Sequence, residues 1–251
     1  NGKIELIVMR KNIIAMCVLL TMSAGTFAQS ILDARQLAYA KQHLADAAYS
    51  LSYKALVRQA NKDLSLRPLS VMSKDYTPSS GTKHDYVSLA RYAWPDKSKA
   101  DGLPYIIRDG ISNPELNKFD RNKLSTMANA IYRLSLAYYF SGDEKYAKKA
   151  TELIRVWFFD KATKMNPNLR YAQHIPGRYD GRCYGVIDAY SFVEMLDGVQ
   201  LLEKSKSFTA KDSRQLKAWF SQLMNWLLTD PQALEESNQK NNHATAYDVQ
   251  V

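Results

Sequence analysis

The sequence predicts an all-α fold built from antiparallel helical hairpins. Three observations carry that prediction. Apolar residues recur three or four positions apart over long stretches, these stretches come in pairs joined by short polar turns, and none alternates apolar with polar residues as a half-buried strand would. Of the 251 residues, 46% are hydrophobic and 24% charged, the balance of a folded domain. Only 10 Gly and 8 Pro exclude collagen-like and low-complexity classes. A chain of this length is expected to form one large domain around one core.

Residues 1–28 stand apart and read as a secretory signal with a little upstream sequence. Met9-Arg10-Lys11 forms a basic start, Ile13 to Met22 an apolar run, and Thr26-Phe27-Ala28 the small residues at which a signal peptidase cuts. The run is too short for a membrane span of ~20 residues. Cys17 sits inside it and not at its end, which argues against a lipid anchor. Asn1 indicates that the sequence does not open at its own start codon. The mature chain is expected to start near Gln29 and to work outside the cytoplasm, in the periplasm or beyond the cell. The signal carries Lys3, Arg10 and Lys11 against Glu5, so removing its net +2 from the formal +9 leaves about +7. Cys183 is then the single thiol, which excludes an internal disulfide and any site built from several cysteines.

Within 29–251 the first helical stretch runs from Ser30 to about Leu64, with Ile31, Leu37, Leu44, Ala48, Leu51 and Leu56 in helical period. Leu124 to Phe140 is the second, with Leu124, Met127, Ala128, Ile131, Leu134 and Tyr138 on one stripe. Ser141-Gly142-Asp143 stops it and caps a partner running from Glu144 to about Phe159. Gly185 to about Lys204 and Thr209 to Leu228 make another pair. Ser237 to Asn242 is a turn, and His243 to Val251 opens a further helix. Between them, Arg67–Arg121 and Lys161–Tyr184 carry Pro, Gly, Tyr, Arg and Asn with little periodicity. Loops this long in a compact domain usually line a binding cleft. Helical hairpins with long loops at one end point to a toroid, or incomplete barrel, of paired helices around a central cleft. The last helix stops almost as it starts, so the reading expects the domain to be cut short at Val251.

Three clusters hold the chemistry. Asn241-Asn242-His243-Ala244-Thr245-Ala246-Tyr247-Asp248 supplies helix caps or, since capping needs one residue, a polar binding edge at a helix start that favours anions. Asn166 to Arg178, followed by Arg182, packs two Asn, Gln173, His174, Tyr171 and three Arg into an expected loop. That is either solvated loop charge or a set of guanidinium forks matched to carboxylates. Leu103 to Glu115, with Tyr92 and Trp94 upstream, is an aromatic, Pro-rich stretch. Trp94 reads as packing, while Tyr105 is open between packing and a sugar platform. The 16 Tyr suit a wet polar groove, and the basic surplus points to an anionic partner, an acidic polysaccharide before a nucleic acid.

The segments "GLPYIIRDGISNPEL", "NPNLRYAQHIPGR" and "NNHATAYDVQ" together resemble the alginate lyase domain of secreted bacterial polysaccharide lyases, from roughly Pro68 to the end. The resemblance implies an (α/α) toroid and β-elimination on a uronic acid polymer, first of all alginate, with glucuronan or another uronan as the alternative. It assigns carboxylate neutralisation to Asn242 and a base or neutralising role to His243. Gln173, with Arg178 or Arg182, would hold the polymer, and substrate contact would extend to His174, Tyr105, Asn241 and Tyr247. No metal or cofactor is implied. The pattern departs at Ala244-Thr245-Ala246, where many relatives carry Gly-Thr-Trp. The family's acidic tyrosine would lie beyond Val251, so the 251 residues alone are expected to be inactive.

The residue types suit that chemistry. Removing a proton next to a uronate carboxylate stacks new charge on an existing anion, and amide, imidazole and guanidinium donors around it stabilise the result. A base takes the proton and an acid protonates the departing oxygen. Two other classes compete. A glycoside hydrolase needs two carboxylates ~5–9.5 Å apart, for which Asp180, Asp188, Glu194 and Glu236 are available. A non-catalytic polyuronate-binding protein would use the same basic cleft. His43, His84, His174 and His243 show no metal-ligand spacing.

Overall fold

The computed structural model describes residues 32–251, so the expected signal segment over 1–28 and the expected mature start near Gln29 lie outside the described residues. The chain divides into two compact units, residues 1–38 and 39–251. In the first, the Asp33 carboxylate accepts the backbone N–H groups of Arg35 and Gln36 and so opens helix α1 (Ala34–Gln42), which runs on into the second.

The single helix expected over 30–64 is two helices, α1 and α2 (Ala47–Asp63). The break has a local cause: the His43 ring stacks on Tyr39 at 3.9 Å and its Nδ1 bonds the Tyr39 carbonyl at 2.7 Å. Asp46, in extended backbone, then restarts the helix. Leu56 packs against the core, whereas Leu51 is 75% exposed.

The core forms around α3 (Arg121–Ser141). Its face of Leu124, Met127, Ala128, Ile131 and Leu134 is wholly buried, and it packs against α2, α4 (Glu144–Ile154) and α5 (Ser191–Gln200). Gly142 ends α3 at φ 72°, where a side chain would be strained. Asp143 caps α4, which widens into a π-turn at Arg155–Phe159 that buries Trp157 and Phe158. A 3₁₀ segment at Cys183–Tyr190 leads into α5. Helix α6 (Ala210–Thr229) starts with a Thr209/Asp212 capping box, and α8 (Asn242–Gln250) follows the short α7 (Pro231–Ser237). Helix α7 lay outside the sequence reading, although Asp230-Pro231 is a helix-start signature and Asp230 does cap it.

The all-α expectation needs one correction. Four short strands lie in the two long loops: β1 (Val87–Leu89), β2 (Ala93–Trp94), β3 (Ile106–Ile107) and β4 (Tyr171–His174). β2 and β3 pair antiparallel, while β1 and β4 pair parallel and tie one loop to the other. With two to four residues each, they are too short to show alternation.

A buried ion pair anchors the first loop. Lys74 Nζ lies 2.8 Å from Asp120 Oδ2, both side chains fully enclosed, and also donates to the carbonyls of Val71 and Lys83. Asp120 in turn accepts the Val87 N–H at the start of β1. Burial pushes the Lys74 ammonium down and the Asp120 carboxyl up, each against the pull of the other.

Candidate functional site

The β1–β4 pairing contains a bulge. Val87 faces Tyr171 and Leu89 faces His174, so Ser88 alone stands opposite Ala172 and Gln173. The extra residue is accommodated by Gln173 at φ 51°, a conformation few non-glycine residues adopt. Bulges of this kind re-aim a side chain. Ser88 Oγ accepts the Gln173 N–H at 2.8 Å and itself donates to the buried Asp188 carboxylate. Asp188 also accepts from Tyr86 Oη and faces Arg121 at 3.3 Å. Burial raises its pKa, against the pull of Arg121 and the two hydroxyls.

The Gln173 amide is thereby aimed at two neighbours: its Oε1 accepts from Arg182 at 2.8 Å and its Nε2 donates to the Tyr184 carbonyl at 2.8 Å. Close approach makes this possible, since a Cβ on Gly185 would stand 2.3 Å from Ala172 Cβ. The Arg182 guanidinium lies over the Tyr184 ring at 5.1 Å, and that ring meets His243 edge-on at 5.0 Å. His243 Nδ1 is 2.7 Å from Glu236 Oε1. Glu236 is 0% exposed, and burial pushes its pKa up against the pull of His243. At the head of α8, Asn241 is the cap: its side chain accepts the His243 N–H at 2.9 Å. Asn242 is exposed and its amide has no hydrogen bond among the described residues. The cluster thus holds both a cap and a free amide.

The alginate lyase family profile matches residues 70–251, which contain this entire network. The chain belongs to the alginate lyase family. Its backbone superimposes on the crystal structure of an alginate lyase from Bacteroides ovatus with a TM-score of 0.84 and 54% identity. The match covers 86% of this chain and 58% of that one, so the chain spans little more than half of that lyase. No curated protein sequence matches.

In this alginate lyase family member, an open cleft of about 570 Å³ adjoins the network. Arg170, Tyr171, His174, Arg178, Tyr179, Asp180 and Gln232 line it. His174 is 5% exposed, stands 4.9 Å from the Tyr76 ring, and has an enclosed Nδ1 with no partner among the described residues. Burial holds its ring below the usual imidazole range, against the opposing pull of the Tyr179 backbone and the Asp180 charge. Arg178 is exposed on the rim, and Arg170 pairs with Asp230. Gln232 donates to the carbonyls of Arg170 and Arg182, which joins cleft and network.

Two expected contact residues do not line this cleft. Tyr105 donates to Glu115 at 2.8 Å and packs on the small clusters around Leu89 and Ile175; burial raises its hydroxyl to about 12. Tyr247 is 5% exposed and donates to the Leu227 carbonyl at 2.9 Å. Trp94 donates to the Ile111 carbonyl beneath Arg108. Of the four carboxylates a hydrolase could use, Asp188 and Glu236 are enclosed at 4% and 0% exposure, Glu194 lies exposed on α5, and Asp180 stands in the cleft. Sequence reasoning set Glu236 among hydrolase candidates and missed it as the partner of His243. Tyr184 and Ser88 drew no notice. Seven positions separate Glu236 from His243, a spacing with no helical meaning across a turn.

Proposed function

We propose that the protein is a polysaccharide lyase that cleaves alginate by β-elimination. A base removes the C5 proton of a uronate, the C4–O bond breaks with its electron pair leaving on the glycosidic oxygen, that oxygen is protonated, and a 4,5-unsaturated uronate remains. The observation that carries this reading is the free Asn242 amide beside His243 at the N-terminal end of α8. An amide donor and the positive end of a helix together favour a carboxylate whose charge grows during proton removal. His243, with Nδ1 tied to Glu236, presents its other nitrogen to take the proton or to share in neutralisation. Arg182, held by Gln173, and Arg178 on the cleft rim supply cations for the polyanion. In this role Gln173 acts through Arg182, because its amide oxygen is already bound.

The +9 formal charge supports an acidic polysaccharide as partner, and glucuronan is the second substrate to try. The basic, apolar and small-residue order of Met9 to Ala28 supports work outside the cytoplasm. The helical pairs support an (α/α) toroid as the complete architecture. The test incubates the full-length protein with alginate, pectate, glucuronan and hyaluronan and follows ultraviolet absorbance of the new double bond. Absorbance on alginate that Asn242→Ala and His243→Ala abolish is the expected result. New reducing ends without absorbance would mean a hydrolase, and binding without either signal would mean a polyuronate-binding protein.

A further inference from the structure

We propose that Glu236 is a positioning residue that accepts the Nδ1 proton of His243 and so fixes the imidazole with its Nε2 lone pair toward the substrate. This rests on the reading of His243 given above. Glu236 closes α7 and His243 opens α8, so the turn between the helices sets their distance, 2.7 Å between Oε1 and Nδ1. The carboxylate is fully enclosed and the imidazole is 19% exposed. One nitrogen is therefore committed to the interior while the ring keeps an outlet.

Glu236 is poorly served as a structural group. Besides His243 its carboxylate has only the Ile187 backbone N–H close by, and its buried Oε2 makes no hydrogen bond among the described residues. Enclosing a carboxylate with a single side-chain partner costs stability, since an apolar residue of that size would fill the space without the desolvation loss. The other groups facing His243 do not replace it. Asp188, from the 3₁₀ segment, acts on the ring only through space and is committed to Ser88, Tyr86 and Arg121. Tyr184 meets the ring edge-on, and Arg182 lies behind Tyr184. Neither offers an acceptor to Nδ1. A carboxylate bound to one imidazole nitrogen selects the tautomer in which the other is free to take a proton.

The alternative is the reverse arrangement, in which Glu236 keeps its own proton, donates it to Nδ1 and leaves Nε2–H pointing outward. Nitrogen-15 NMR of the imidazole side chains distinguishes the two on the 251-residue chain itself, with His243→Gln identifying the resonance. The expected spectrum shows a protonated Nδ1 and an unprotonated Nε2 for His243 at neutral pH. Glu236→Gln is expected to abolish that single tautomer and, in the full-length protein, to lower kcat on alginate about 10²-fold or more, with KM changed far less. Glu236→Asp is expected to recover part of kcat and to restore the Nδ1–H signal. An Nε2–H resonance in the unaltered protein, or a Glu236→Gln variant with unchanged kcat and pH profile, overturns the assignment. An Nδ1–H resonance in a full-length protein that forms no double bond on any uronan overturns the lyase reading and leaves the place of the proton standing.

Discussion

Asp212 and Glu236 are both buried carboxylates bonded to a basic side chain, yet the protein treats them in opposite ways. Asp212 receives two bonds from Arg155 and two more from the Thr209 N–H and hydroxyl, which together saturate it. The Arg155 guanidinium, first among these, holds its carboxyl down at about 2. Glu236 has one side-chain partner, an imidazole, with the Ile187 backbone N–H nearby, and burial raises its pKa. The difference teaches where stability and chemistry were placed. A carboxylate in a capping box is surrounded by donors, while the one behind His243 has fewer, which fits the reactive role proposed for His243.

Substitutions can break this contrast. The largest effect is expected on rate: Asn242→Ala should lower double-bond formation by about 10²–10³-fold. Because Asn242 is exposed and unbonded, thermal unfolding should move by no more than about 0.5 kcal/mol. A comparable loss of stability would show Asn242 to be structural. Next comes the enclosed pair of the first loop. Lys74→Met should destabilise by about 3 kcal/mol in chemical denaturation, because Asp120 is left buried with only the more distant Lys123, 3.6 Å from its other oxygen.

Asp212→Asn should cost about 1–2 kcal/mol near neutral pH with kcat on alginate unaltered, the half-exposed Arg155 discounting the larger figure its shift would imply. Its folded pKa is depressed, so the contribution is present above the unfolded value of 3.8 and is lost as pH falls through about 2. The unfolding curves of Asp212→Asn and the unaltered protein should therefore converge across that window. The smallest effect belongs to Tyr105→Phe, which removes the bond to Glu115. It should cost roughly 1 kcal/mol and leave KM for alginate unchanged, whereas a raised KM would return Tyr105 to the cleft.

The helical framework was legible because its signals are local. Leu124, Met127, Ala128, Ile131 and Leu134 sit at helical spacing and are buried, and Gly142 stops α3 where the sequence placed the turn. The break at His43–Asp46 was hidden, since no Pro or Gly marks it and a ring stacked on Tyr39 makes it. The strands were hidden for another reason: Val87 and Tyr171 pair through backbone groups, which leave no trace in side-chain pattern. For the proposed site, motifs name Asn242, His243, Gln173 and Arg182, and the structure links the last three through Tyr184. Which Asn would cap and which would stay free depended on the backbone of Asn241, and the partner of His243 depended on how α7 and α8 fold against one another.

The bond from Gln173 to Ser88 joins residues 85 apart in sequence, with all of α3 and α4 between them. Closing so long a loop is entropically slow until other contacts have shortened it. The hairpin of α3 and α4 supplies that shortening, so the bulge that aims Gln173 belongs to the end of folding. Protection of the Gln173 amide against hydrogen exchange should accordingly appear after that of Leu134, and binding competence should arrive with it.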